Sequence, residues 1–330
     1  MDRKRKRNLE RDMIRRQAYQ DNQQASIHIH LPRQHHIDHK TDLSLFDKIE
    51  YKTVGEATNN QCRANITLAD QATEAIILQR VGPTSYAKRL KANQSALRGK
   101  LLYNAYLSKK DPEWMIQQHS SSKHQLKITK RKVVEHHLGI WHSQAKAWLD
   151  FTKETTNHRY KQEALDLLAW AKQHMELVLI KSAKETIHPN FDHNLKTRAK
   201  GQRWLASIFG KKSIGLLHPF STTLAFFSDF AGGIHLDQQD CIPSFLFNFG
   251  DSAWVELPEY SVKVLLKPLE MPILNSRTFY HRTRPVEASL FKPGSRWAFS
   301  AFFREGIYNR ETVCQIAEWR LDAIFGKAKG

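Results

Sequence analysis

The chain predicts an α+β fold with a helical, basic first half and a β-rich second half closed by a helix. Three observations predict it. Apolar residues recur at helical spacing in the first half, most clearly over Tyr160–Lys184. From about Ser213, short runs of Phe, Leu, Val and Ile alternate with Gly, Pro, Asp and Asn, as in closely spaced strands. Much of the positive charge lies in the first half.

That charge is large. The 330 residues include 51 Lys+Arg against 33 Asp+Glu, a net charge of +18. Such a chain meets a polyanion, nucleic acid ahead of an acidic membrane surface. Apolar content of 41% with 10% aromatics excludes wholesale disorder. No run approaches the ~18 uncharged apolar residues of a membrane span. Met1–Arg7 is charged and no apolar run follows it, unlike a secretory signal. Cys62, Cys241 and Cys314 form neither a disulfide framework nor a CxxC pair, which suits a reducing, intracellular compartment.

The elements follow in order. Asp2–Arg7 with Arg11, Arg15 and Arg16 reads as a basic tail, and such a run can act as a nuclear localisation signal. Residues 1–40 are therefore expected to be a disordered basic tail, with the nucleus as the expected compartment. His28, His30, His35, His36 and His39 lie around Pro32 without flanking Cys or carboxylate ligands, so they read as a surface loop. Residues from about Leu68 to Gln118 read as helical: Ala72, Ala75, Ile76 and Leu78 fall near helical spacing, and Gly82-Pro83 breaks the run. A second helix covers Ser85–Leu107 and carries Lys88, Arg89, Lys91, Arg98 and Lys100. Lys123–Lys132 is a further basic patch, and Val133–Phe151 reads as a helix with Trp141 and Trp148 on its apolar side. Both basic stretches are candidates for phosphate contact. Residues 41–212 thus read as a helical region that packs on the core and contributes to nucleic-acid binding.

In residues 213–330 the expected strands are Thr223–Phe227, Ser244–Phe249, Trp254–Leu257, Val262–Leu266, Pro272–Leu274 and Trp297–Phe303. Strands spaced this closely suggest a β-sandwich or barrel. Glu311–Phe325 returns to helical spacing.

The chemistry lies in this half. In Gly232-Gly233-Ile234-His235-Leu236-Asp237, two residues apart on extended chain point the same way, so His235 and Asp237 present an imidazole and a carboxylate side by side. One more His completes a 2-His-1-carboxylate triad, which leaves adjacent positions open on Fe(II). His281 in Phe279-Tyr280-His281 supplies it. Arg296 heads an apolar strand downstream and can hold a dicarboxylate through a bidentate pair.

These motifs resemble the double-stranded β-helix core, jelly-roll or cupin-like, of the Fe(II)/2-oxoglutarate dioxygenases. More narrowly they resemble the branch that holds the TET 5-methylcytosine oxygenases, the J-base thymine hydroxylases and their fungal relatives. Four pieces carry the likeness: His235-Leu236-Asp237-Gln238-Gln239-Asp240; Phe247-Asn248-Phe249-Gly250-Asp251 followed by Trp254 to Glu259; Ser276 to His281 with Thr283 and Pro285; and Arg296 leading into Phe302-Phe303. It spans about 216–308.

The resemblance implies a 2-oxoglutarate-dependent dioxygenase. His235, Asp237 and His281 would hold Fe(II), and Arg296 the far carboxylate of 2-oxoglutarate. Asp240 would face the polar edge of a flipped base. The implied substrate is a methylated base in DNA, 5-methylcytosine first and N6-methyladenine second, flipped out of the duplex. RNA is the alternative substrate, and an inactive binding protein the alternative class. A monomer is expected. The sequence also departs from the pattern. Lys267-Pro268-Leu269-Glu270 replaces a PGD-type turn, Ala298 stands where a hydroxyl is common, and Arg304 stands where TET enzymes carry a base-contacting His.

Overall fold

The computed structural model describes residues 27–54, 65–82, 86–110, 136–143, 148–180, 191, 198, 201–203, 205–207, 209–286 and 294–305. The basic tail through residue 26, the Lys123–Lys132 patch and the Glu311–Phe325 helix lie outside the described residues.

The fold is mixed α+β, built on one large sheet. Nine strands pair in the order β1 (Ile27–Leu31), β3 (Ile66–Asp70), β4 (Ile76–Val81), β11 (Met271–Leu274), β8 (Ser244–Gly250), β13 (Arg296–Phe302), β7 (Thr223–Ser228), β5 (His136–Ser143) and β6 (Trp148–Phe151). A second sheet of four has the order β12 (Arg282–Pro285), β9 (Ala253–Leu257), β10 (Val262–Leu266) and β2 (Lys52–Val54). Pairing is antiparallel except for β1 with β3 and β10 with β2. Among the described residues the two long helices are α1 (Tyr86–Lys110) and α2 (Lys161–Met175). Among the described residues no helix is long and apolar enough to cross a membrane.

Period-two alternation divides the core. On β8 and β13, Phe245, Phe247, Phe249, Trp297, Phe299 and Ala301 join the core with Tyr103 and Tyr106 of α1 and Trp170 of α2. Leu246 and Ala298, their neighbours, join Val255, Val262, Val264 and Leu266 of the small sheet. The layers are therefore helices, large sheet, small sheet. Helix contact is close where Gly99 meets Trp170, because a Cβ there would stand 2.1 Å from the indole.

Three expectations are corrected. The helix read over Ala72–Leu78 is the β3–β4 hairpin. Its strands are buried on both faces, so the alternation that marks a strand is missing. Asp70 Oδ1 accepts from the Ala72 and Thr73 amides and sets the turn. The helix read over Val133–Phe151 is the β5–β6 pair; Gly139 sits there at φ 104°, with Thr222 O only 2.4 Å from where a Cβ would be. Within the expected tail, Ile27–Leu31 is a strand. Five strands from before residue 213 thus sit in the same sheet as four from after it. The expected helices over Ser85–Leu107 and Tyr160–Lys184 appear as α1 and as α2, which runs on into a π-turn, Glu176–Ile180.

Candidate metal centre

The site lies on the face of the large sheet that looks toward the small sheet. His235 and Asp237 follow β7, and His281 immediately precedes β12. His235 and His281 exchange two backbone bonds, His235 N to His281 O at 3.2 Å and His281 N to His235 O at 3.1 Å. That isolated bridge brings the two rings to a centroid separation of 4.4 Å. Asp237 N donates to Ser276 O at 2.9 Å, which fixes the third member.

Ligand atoms of His235, Asp237 and His281 all lie within 4.8 Å of one another. The Asp237 carboxylate stands 3.8 Å from His235 Nε2 and 3.7 Å from His281 Nε2. Each Nδ1 faces a backbone carbonyl: His235 that of Gly233 at 2.8 Å, and His281 that of Phe279 at 3.2 Å. A carbonyl only accepts, so both Nδ1 atoms carry a proton, which leaves Nε2 as the ligand atom of each ring toward the carboxylate. Burial, with the His235 ring beside it, holds His281 well below the usual imidazole range and keeps it neutral. Two imidazoles and one carboxylate on one side of an open space fit Fe(II) chemistry.

His281 is clamped from both sides. The Tyr280 amide donates to Glu259 Oε2 at 2.9 Å. Arg282 is buried, donates to Glu256 and Asp47, and gives Nη2 to Phe46 O at 3.2 Å. Glu256 is also its partner across the β12–β9 pair.

A cavity of about 260 Å³ opens beside the triad. Its lining includes Asp240 and Arg304, joined at 2.7 Å and by a second isolated bridge, with the Asp240 amide on Asp237 O at 2.9 Å. Arg304 also gives Nη2 to Gln239 at 3.0 Å and lies 4.0 Å over the Trp141 ring. Burial and the Asp237 charge push the Asp240 carboxyl up to about 7, against the pull of Arg304. Trp141, His137 and Phe302 form an aromatic side to the same cavity, with His137 and Trp141 rings 4.9 Å apart. Sequence reading missed His137 and Trp141, because they sit on a stretch read as helix; their i, i+4 spacing also puts them on one strand face.

Arg296 is wholly buried but does not line the cavity. It gives Nε to Asn248 Oδ1 at 2.6 Å and Nη1 to Phe230 O at 3.1 Å, and its guanidinium lies 5.8 Å over Phe227. Phe227 and Phe230 do line the cavity, with rings 5.3 Å apart. Asp229 ties down the start of β13, accepting from the Arg296 amide at 3.0 Å and the Gly294 amide at 2.6 Å. Burial pulls the Arg296 guanidinium down to about 9, partly offset by Asp229. Ser300 lines the cavity, whereas Ala298 packs between the sheets, so the hydroxyl of this strand is one step beyond the position common in the resembled family.

No protein-family profile matches the chain, and no curated protein matches it. Among solved structures it is similar to NgTET1 in complex with 5mC DNA, at 13% sequence identity and a TM-score of 0.42, covering 80% of this chain and 86% of that one.

Proposed function

We propose that the chain is an Fe(II)- and 2-oxoglutarate-dependent dioxygenase of the TET-like kind, with its two facing sheets forming a double-stranded β-helix. Its substrate is the methyl group of a methylated base in DNA, 5-methylcytosine first and N6-methyladenine second. One observation carries the reading: both imidazole Nε2 atoms and the Asp237 carboxylate converge beside an aromatic-walled cavity. Iron(II), when bound, would supply the redox chemistry by which O₂ converts 2-oxoglutarate to succinate and CO₂, one oxygen atom going to succinate and the other into the substrate C–H bond.

The chain's residues do the rest. His235, His281 and Asp237 hold the metal on one side and leave the other open. Arg296 is the buried cation on the site face of β13, and we assign it the far carboxylate of 2-oxoglutarate. Phe230 lines the cavity where Arg296 approaches it, so binding the dicarboxylate displaces that ring. A base inside a duplex does not reach a site between two sheets, so the base enters flipped out. Trp141, His137 and Phe302 offer it stacking surface, and the Asp240–Arg304 pair meets its polar edge. The net charge of +18 favours the polyanion, and the basic tail favours a nuclear monomer bound to DNA.

The test is direct. Purified protein is incubated with Fe(II), 2-oxoglutarate and methylated DNA or RNA oligonucleotides. Mass spectrometry reads succinate and a base one oxygen atom heavier. Succinate coupled to oxidised DNA supports the proposal. Product on RNA alone moves the substrate to RNA. No succinate with any substrate and no iron bound leaves a binding protein.

A further inference from the structure

The face of α1 that turns away from the core carries an unusual pattern. Among the described residues five large apolar side chains are exposed, and three of them are Leu90, Leu97 and Leu101 of this helix, at 46%, 60% and 71%. At 100° per residue these three fall within about 40° of one another, so they form one stripe. Lys91 and Arg98 lie about 90° to one side of it, and Arg89 and Lys100 about 90° to the other. The helix holds seven Lys or Arg and no Asp or Glu. Leu90 and Leu97 also wall a groove of about 510 Å³, with Pro268 and Leu269 opposite and Trp297 lining it as well. Arg89 and Lys100 line that groove too.

This surface does not serve the metal centre. Phe249 and Trp297, which line the groove, point to the helix side of the large sheet. The cavity beside His235, Asp237 and His281 lies on the opposite face, toward the other end of β8, at Ser244 to Leu246. A strand whose base sits in that cavity is separated from α1 by the whole sheet. The cations flanking the stripe therefore stand on the opposite side of the large sheet from that cavity. Three exposed leucines also have no counterpart on a phosphate backbone. A second copy of the chain is disfavoured by a net charge of +18 on each.

We infer that this face of α1 docks an acidic amphipathic helix of a partner protein, its apolar stripe on Leu90, Leu97 and Leu101 and its carboxylates on the flanking cations. Helix-in-groove recognition reads anchors at this kind of spacing, and the charges choose the partner. The inference stands apart from the dioxygenase reading.

The test uses the full chain and a fluorescent synthetic peptide of about 18 residues, five turns, with Leu along one face and Glu on both flanks. Fluorescence anisotropy compares it with the same peptide carrying Gln for Glu, and with a DNA duplex. The Glu peptide is expected to bind at least about tenfold more tightly than the Gln peptide. Leu97→Ser with Leu101→Ser, and separately Arg89→Glu with Lys100→Glu, are each expected to weaken it about tenfold while leaving the thermal melt unchanged, and the uncharged leucine pair is expected to leave DNA binding unchanged as well. These side chains are exposed, so the variants fold. Absence of peptide binding, or binding indifferent to both pairs of substitutions, overturns the inference. So does loss of DNA binding instead of peptide binding in the charge variant, which would make the face a nucleic-acid surface. A wild-type dimer in sedimentation equilibrium that the leucine variant dissolves would assign it to a second copy.

Discussion

The two faces of the large sheet are made by the same strands and do different work. On the helix side, Trp297 stacks on Phe249 at 4.2 Å and Phe299 on Phe247 at 4.5 Å, packed among Tyr103, Trp170 and His174. On the other side of the same two strands stand Arg296, Asn248, Ser300 and Phe302, held by named hydrogen bonds or turned into a cavity. Strand periodicity lets one β-strand anchor the fold with its odd residues and present chemistry with its even ones. Substitutions on the two faces should therefore separate cleanly into loss of stability and loss of activity.

The largest effect is expected at the triad. Asp237→Ala or His281→Ala should reduce succinate formation below detection in a coupled assay, with salt-dependent DNA binding retained. If DNA binding fell equally, the division between site and binding surface would be broken. The helix-side counterpart is Phe299→Ala, expected to cost about 3–5 kcal/mol in chemical denaturation because it empties a fully buried aromatic site. A loss below about 1 kcal/mol would mean that this face is not the anchor.

A smaller, pH-dependent effect sharpens the same contrast. His136, His174 and His218 are buried away from the triad, and burial holds them at about 3, 4 and 3. The unfolded chain takes protons near 6.5, which the folded chain refuses until far lower. Their contribution is complete above about pH 6.5 and drains as pH falls toward 4, by about 1.4 kcal/mol per pH unit for each imidazole. Melting temperature should therefore drop from pH 7 to pH 5. His174→Leu should make that drop shallower, and an identical slope would remove His174 from the account.

The smallest effect is expected at the cosubstrate. On the proposed function, Phe230→Ala should tighten 2-oxoglutarate binding several-fold, by removing the ring proposed to stand between the cavity and Arg296. Weaker binding would mean that Phe230 supports the cosubstrate instead.

The legibility of these regions differed for physical reasons. His235, Asp237, His281 and Arg296 were readable because ligand chemistry restricts residue type and spacing, and the structure brings the first three together. Arg296 is readable as the head of an apolar strand, but not as a buried residue set behind Phe227 and Phe230, which depends on packing between strands distant in sequence. The strands β7 to β11 and β13 announced themselves by dense aromatic and aliphatic runs bounded by turns. Strand β12 is not among the expected strands: Arg282-Thr283-Arg284-Pro285 has no apolar run, and it pairs with β9 with Glu256 and Asp47 neutralising Arg282. Strands β3 and β4 are buried on both faces, and a short apolar run without alternation looks the same as a helix. Misreading β5 hid His137 and Trp141, whose place beside the site follows from pairing with β7.

Anaerobic equilibrium dialysis against Fe(II) tests the central claim most directly, since it requires neither substrate nor cosubstrate. The account predicts one iron per wild-type chain, none for His235→Ala, and matching thermal melts for the two apo proteins. Equal iron retention by His235→Ala, or its collapse as a folded protein, would contradict a metal centre set on the chemical face of an independently anchored sheet.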